Sequence, residues 1–371
     1  MKIFAVFGTR PEAVKMCPLI IELKNREDIK CEVCLTGQHK DMVKPILDCF
    51  NIKEDFDLNI MRDNQTLSSI TCDILGKLGE ILMLDRPDLV LVHGDTTSSF
   101  AAALAAFYQK IPVGHVEAGL RTYNKYSPFP EEMNRALTGR IASIHFAPTE
   151  QNRQNLIKEG IFDNVFVTGN TVIDSFKTTV KKKYVFHNNE LNMLDFNKKK
   201  IIILTAHRRE NIGKNIENIC QAAKILAENN KDIVIVYPIH PNPLVRKTVY
   251  ENLGNSERVK LVEPLDILDM HNLIARSYMV MTDSGGLQEE APALGKPVLV
   301  LRTETERPEA VLAGGVKIVG IKKDDIVLCA EKIIHNEGKY KEISRISSPY
   351  GDGEASKRIT QYIIEWAGKE K

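Results

Sequence analysis

A chain of 371 residues, 43% apolar and 27% charged, has room for two or three folded domains and an ordinary globular composition, which excludes disordered and fibrous classes. Fifty basic against forty-nine acidic side chains leave a formal net charge of +1, so no global field gathers nucleic acid or an anionic membrane, and an anionic ligand must be held locally. The first apolar run stops at Gly8-Thr9-Arg10-Pro11, too short for a signal peptide core or a membrane span, and a cytoplasmic protein is expected. Seven scattered cysteines suit reduced thiols; the lone pair Cys31 and Cys34 sits in a strand-like run with no second pair at zinc spacing, so no metal site is expected.

Short apolar runs alternate with amphipathic stretches, the pattern of parallel strands joined by crossover helices. A strand over 3–7 opens into a helix over 11–24. Glycine permits the tight turn between them, proline suits the first helical turn, and Arg10 with Lys15 offer charge to a diphosphate, or a solvated helix face. No G-x-G-x-x-G follows this strand and no G-x-x-x-x-G-K-[ST] occurs anywhere, which disfavours a tightly bound dinucleotide and a P-loop kinase or ATPase. After a strand over 31–36, the strand over 89–93 ends in Asp95 before a hydroxyl-rich helix start over 97–108; Asp95 is a candidate acid or base and equally a helix cap. A strand over 113–117 puts His115 and Glu117 on one face by alternation, and a carboxylate buried at a strand end is costly unless paired or used. Two prolines lead into a helix over 131–141, where Glu131 and Arg135, four apart, can pair; a strand over 144–147 follows.

A charged, low-apolar stretch then separates two halves, and the strand pattern restarts at 201–204, 233–237, 259–262, 279–282, 298–301 and 317–319. We place an N-terminal Rossmann-like domain at 1–168 and a second at 169–353, and assign the final helix, 354–371, to the first domain, although its amphipathic pattern fits either. Open parallel sheets bind ligands outside the carboxyl ends of their strands, and two in series would face across a cleft. In the second half those ends carry His207-Arg208-Arg209, a phosphate grip with histidine as acid or base, or a capping loop. They also carry Asp283-Ser284-Gly285-Gly286 with Glu290 beyond, where a turn can hold phosphate oxygens and a carboxylate can accept ribose hydroxyls. Arg307, before Pro308, is a further candidate.

Assembled in order, Phe7-Gly-Thr-Arg-Pro-Glu-Ala, Val92-His-Gly-Asp-Thr-Thr, Gly114-His-Val-Glu-Ala-Gly-Leu-Arg-Thr, Phe129-Pro-Glu-Glu-Met-Asn-Arg, Thr205-Ala-His-Arg-Arg-Glu-Asn, Thr282-Asp-Ser-Gly-Gly-Leu-Gln-Glu-Glu-Ala-Pro, Glu306-Arg-Pro-Glu-Ala and Ser348-Pro-Tyr-Gly-Asp-Gly-Glu-Ala resemble the motifs of the non-hydrolysing UDP-N-acetylglucosamine 2-epimerases. The resemblance implies two Rossmann-like domains in the GT-B arrangement and a cytoplasmic homodimer that interconverts UDP-GlcNAc and UDP-ManNAc for surface polysaccharide. By the same resemblance Asp95, Glu117, Glu131 and His207 form the catalytic set. Arg10, Lys15, Arg135, Ser284, Gly285, Gly286, Glu290 and Arg307 bind the nucleotide sugar, and Met270 stands where many relatives place a phenylalanine near uracil. Some relatives carry a second, regulatory UDP-GlcNAc site, for which Gln38 and His39 are the candidate contacts here. No cofactor is implied.

The chemistry agrees with the residue inventory. The C2 hydrogen of a pyranose has no neighbouring carbonyl, so inversion needs hydride removal or elimination. Elimination and re-addition call for acidic groups on both sides of the ring and a cationic diphosphate grip. A hydrolysing 2-epimerase or a GT-B glycosyltransferase is the alternative within the same inventory.

Overall fold

A computed structural model describes residues 1–38, 40–62 and 64–369. The chain folds into two units: one is Met1–Thr178 together with the chain from Tyr350 onward, the other is Thr179–Pro349. The divide falls at 178/179 and 349/350, not at 168/169 and 353/354, and local bonding explains the shift. The carboxylate of Asp174 accepts hydrogen bonds from the backbone of Ala355 and Ser356 at 3.2 and 2.7 Å, satisfying the open N-terminus of the C-terminal helix Ala355–Lys369. The Asn170 amide donates to the Tyr350 carbonyl at 2.7 Å. The segment after residue 168 is therefore bonded into the first unit.

In the first unit β1 (Lys2–Phe7), β2 (Lys30–Leu35), β3 (Phe56–Asp57), β4 (Leu89–His93), β5 (Val113–Val116), β6 (Ile144–Ala147) and β7 (Val165–Val167) form one parallel sheet in the order β3-β2-β1-β4-β5-β6-β7. Between them run α1 (Arg10–Lys24), α2 (Lys40–Cys49), α3 (Leu67–Leu84), α4 (Thr97–Tyr108), α5 (Glu131–Ile141) and α6 (Glu150–Lys158), and α7 (Thr171–Thr179) follows β7. Phe4, Val6, Val90 and Val92 pack on Ile74 and Leu78 of α3 and on the small side chains Ala101, Ala102 and Ala105 of α4, which let these helices lie close. Cys31 and Cys34 are buried in β2, and burial pushes both thiols up to about 12, which leaves them inert.

The second unit repeats the architecture with β8 (Lys200–Thr205), β9 (Ile233–Pro238), β10 (Val259–Val262), β11 (Met279–Thr282), β12 (Val298–Val300) and β13 (Val316–Ile318), all parallel, in the order β10-β9-β8-β11-β12-β13. Its helices are α8 (Asn189–Asn192), α9 (Lys214–Asn229), α10 (Pro243–Leu253), α11 (Ile267–Arg276), α12 (Leu287–Ala293), α13 (Pro308–Ala313), α14 (Lys323–Ile334) and α15 (Glu337–Ser344). Ile202, Leu204, Met279 and Met281 pack with Ile216, Leu226 and Tyr237, whose hydroxyl donates to the Ala206 carbonyl at 2.9 Å. Strand order reverses between β1 and β4 in one unit and between β8 and β11 in the other, so each sheet opens a crevice where those pairs of strands end.

Gly119 follows β5 at φ +89°, and a Cβ there would stand 2.2 Å from the Asn152 carbonyl oxygen, in a region disfavoured for any other residue. Gly119→Ala is expected to lower unfolding free energy by ~2 kcal/mol or more in urea titrations, since both backbone strain and a backbone clash must be relieved.

Candidate active site

The first unit builds its crevice around a buried carboxylate. Glu12 is 2% exposed; its Oε2 accepts the backbone N–H groups of Gly8 and Thr9 at 2.9 and 2.7 Å. Its Oε1 accepts the hydroxyls of Thr96 and Ser99 at 2.6 and 2.7 Å. One side chain thus ties the loop after β1 to the start of α4, across the switch point. Gly8 leaves room for this: a Cβ would lie 1.8 Å from the Thr36 hydroxyl oxygen. Thr96, not Asp95, caps α4 by accepting from the Ser99 amide, which leaves the Asp95 side chain available for other work. Arg10 stands half-buried at the head of α1.

Beside this tie lies a group of acids. Glu117 is not on β5, which ends at Val116; it adopts φ +60°, so simple alternation with His115 does not reach it. Its Oε1 receives the Lys15 ammonium and, at 2.7 Å, the Asn170 side-chain amide. His115 is fully buried, bonds the Gly94 carbonyl through Nε2 at 2.7 Å and is driven down to about 3 by desolvation. Arg135, only 6% exposed, pairs with Asp95 at 2.9 Å and Glu132 at 3.5 Å; among the described residues it is these, not Glu131, that hold it. The expected Glu131–Arg135 pair gives way because the buried guanidinium turns toward the β4 loop. Burial pushes the Asp95 carboxyl up to about 6, Arg135 and Lys15 hold it down, and Glu117 and Glu131 add to the rise. One oxygen of Glu131, Oε2, is buried without a hydrogen-bond partner among the described residues.

The second unit repeats the device. Asp283 is fully buried, and its Oδ2 accepts the backbone N–H groups of His207 and Arg208, each at 2.8 Å, and the Asn211 amide at 2.9 Å. Its Oδ1 lies 3.4 Å from Nδ1 of His207, whose ring stacks flat on His240 with centroids 5.1 Å apart. Desolvation lowers the His207 pKa, and Asp283 opposes the shift. At the Ser284-Gly285-Gly286 turn, a Cβ on Gly285 would meet the guanidinium groups of Arg307 at 3.3 Å and Arg208 at 3.6 Å, so two cations converge where the turn enters α12. Arg307 is anchored by Glu289 at 2.8 Å. Glu290 lies 3.6 Å from Nε2 of His271, next to half-buried Met270 on α11.

The structure therefore gathers Lys15, Asp95, Glu117, Glu131 and Arg135 at one switch point, and His207, Ser284, Gly285, Gly286 and Arg307 at the other. Gln38 accepts from the Ser98 hydroxyl at 2.7 Å beside the first. His39 and the Arg209 side chain lie outside the described residues. Glu12 and Asp283 stand outside the site residues that the sequence pattern points to. Their signal was an acidic residue in the first helical turn and a carboxylate ending a buried strand.

Two doubly wound parallel-sheet units with polar residues gathered at their strand ends define an α/β enzyme of two Rossmann-like domains. A profile of the family described as UDP-N-acetylglucosamine 2-epimerase matches residues 21–364. The chain belongs to the UDP-N-acetylglucosamine 2-epimerase family. The UDP-N-acetylglucosamine 2-epimerase of Bacillus subtilis (strain 168) is 52% identical over 373 residues, covering 100% of this chain and 97% of that protein. The UDP-GlcNAc 2-epimerase of Neisseria meningitidis bound to UDP-GlcNAc is 48% identical with a TM-score of 0.90, covering 98% and 100% of the two chains. The Methanocaldococcus jannaschii enzyme in complex with UDP-GlcNAc and UDP is 33% identical with a TM-score of 0.80, again covering 98% and 100%.

Asp95 is expected to titrate near pH 6 in the folded protein, read by carboxyl 13C NMR, and Arg135→Leu should move that midpoint upward by removing the cation that holds it down. The folded protein keeps this proton to about pH 6, whereas an ordinary aspartate loses it near 3.8, so stability falls as pH rises through that window. Urea titrations of Asp95→Asn should lack this part of the slope.

Proposed function

We propose that this epimerase interconverts UDP-GlcNAc and UDP-ManNAc by anti elimination of UDP to a 2-acetamidoglucal and re-addition of UDP. A base takes the C2 proton, the C1–O bond breaks and its electron pair leaves with the diphosphate; the reverse step returns a proton to the other face of C2 as UDP oxygen rebinds C1. The observation that carries the reading is Asp95. Burial pushes its carboxyl up to about 6, a range in which one group can both accept and release a proton at neutral pH, and it sits among Glu117, Glu131 and Lys15. The buried Oε2 of Glu131, without a hydrogen-bond partner among the described residues, supplies a second acceptor for a substrate proton. Arg208 and Arg307 at the Ser-Gly-Gly turn suit a diphosphate, with Glu290 on α12 suited to ribose hydroxyls. His207, its amide held by Asp283, donates to the departing phosphate. Arg10 and Lys15, in the first unit, are cations suited to an anionic ligand. We place the enzyme in the cytoplasm as a homodimer whose product feeds surface-polysaccharide synthesis, with no cofactor taking part.

Incubation with UDP-GlcNAc in D2O, without added NAD or metal, should yield UDP-ManNAc and exchange the C2 hydrogen for deuterium by NMR; turnover without exchange would sink the elimination. Asp95→Asn should reduce turnover by roughly 10²-fold or more and largely spare UDP binding. Glu290→Ala should weaken UDP binding in isothermal titration. The opposite pattern would reverse the roles assigned to the two units.

A further inference from the structure

His93 closes β4, and no step above uses it. Its carbonyl lies 2.5 Å from the Ser99 hydroxyl oxygen, and its side chain is buried. Ring Nε2 lies 3.4 Å from Oε2 of Glu117 and carries no hydrogen bond among the described residues. The two oxygens of Glu117 thus differ in surroundings. Oε1 meets the Lys15 ammonium and the Asn170 amide, and Oε2 faces an imidazole nitrogen. A buried ring nitrogen in a native protein requires a reason for lacking a partner.

We propose that His93 is a positioning residue for Glu117: its imidazole, carrying the proton on Nε2, donates to Oε2 when the carboxyl is ionised and so sets the orientation and the titration range of that acid. The inference rests on the catalytic role of Glu117 proposed above. The ionisable groups that face His93 are Glu12 and Lys15 from α1, Glu117 after β5 and His115 on β5, and Glu117 in turn faces Asp95 after β4. Burial drives the His93 pKa down and Lys15 adds to that, while Glu117 and Glu12 oppose it. A neutral imidazole has one N–H to place; its own backbone carbonyl is one acceptor, and Oε2 of Glu117 is the acceptor that faces Nε2. His115 does not compete, because its Nε2 bonds the Gly94 carbonyl. A donor to the ionised form lowers a carboxyl pKa, so losing it raises that pKa.

Two measurements decide the matter. In 1H–15N correlation spectra of the intact protein, His93 should be the Nε2–H tautomer, and its Nε2 resonance should move in Glu117→Gln; a bare Nε2, or no movement, overturns the pair whatever the turnover. In pH profiles of kcat/KM, His93→Leu should shift the acidic limb upward by about one unit, with kcat falling more than KM changes. His93→Gln, whose amide occupies the Nε2 position, should return the limb to its original place. A wild-type limb in the leucine variant, or a glutamine variant that behaves like leucine, overturns the tuning role, and if the leucine variant does not fold, the spectra and the glutamine profile decide. Turnover of Glu117→Gln is read separately: full activity there removes the catalytic role of Glu117, while the ring spectrum still reports whether the pair exists.

Discussion

A parallel sheet delivers its strands' carboxyl ends into loops whose amides have no neighbouring strand to bond, and at the β1–β4 switch point two of these amides belong to Gly8 and Thr9. Both are bonded to Glu12, whose other oxygen takes the two hydroxyls at the start of α4. A buried carboxylate is tolerable only when its charge meets such donors. With all four in place, the charge fixes the loop that carries Arg10 and the loop that carries Asp95 in one frame. The arrangement of the acids around Asp95 follows from that frame, because Arg135 and Lys15 reach them from helices whose neighbours it holds.

The second unit arrives at the same solution from unrelated residues. Asp283 projects from the end of the inner strand β11 and gathers the amides of the loop after β8, whereas Glu12 projects from a helix and gathers the amides of the loop preceding it. In both units a buried acid that accepts two backbone amides joins the two central strands' loops at the place where strand order reverses. The likeness of the halves is therefore electrostatic as well as topological, although no sequence repeat relates them.

The strands were legible because a parallel strand buried on both faces reads as an unbroken apolar run; Leu89–His93 and Met279–Thr282 lie where their runs lie. The edge strands β3 and β7, of two and three residues, are too short to leave such a run. Site residues at strand ends were legible for the same reason, since a charge at the end of an apolar run needs an explanation. Partners were not. Arg135 spaced four from Glu131 reads as a helix-surface pair, but its burial beside the β4 loop comes from packing of α5 on α4, between segments far apart in sequence. The left-handed backbone of Glu117 is equally invisible in a strand-like run. The bonds of Glu12 to Thr96 and Ser99 span 84 and 87 positions, which no local pattern encodes.

The bonding of Asp174 to Ala355 and Ser356 means that the first unit is discontinuous in the chain. In chain order residues 179–349 are made before the segment that completes the earlier unit. The unit begun first is therefore finished last. Until the final helix arrives, the surface of α1 that it covers is exposed, and Ile359, Ile363 and Trp366 are the buried side chains that then seal it. Folding of the first unit therefore waits on a helix that the whole of the second unit separates from the rest of it.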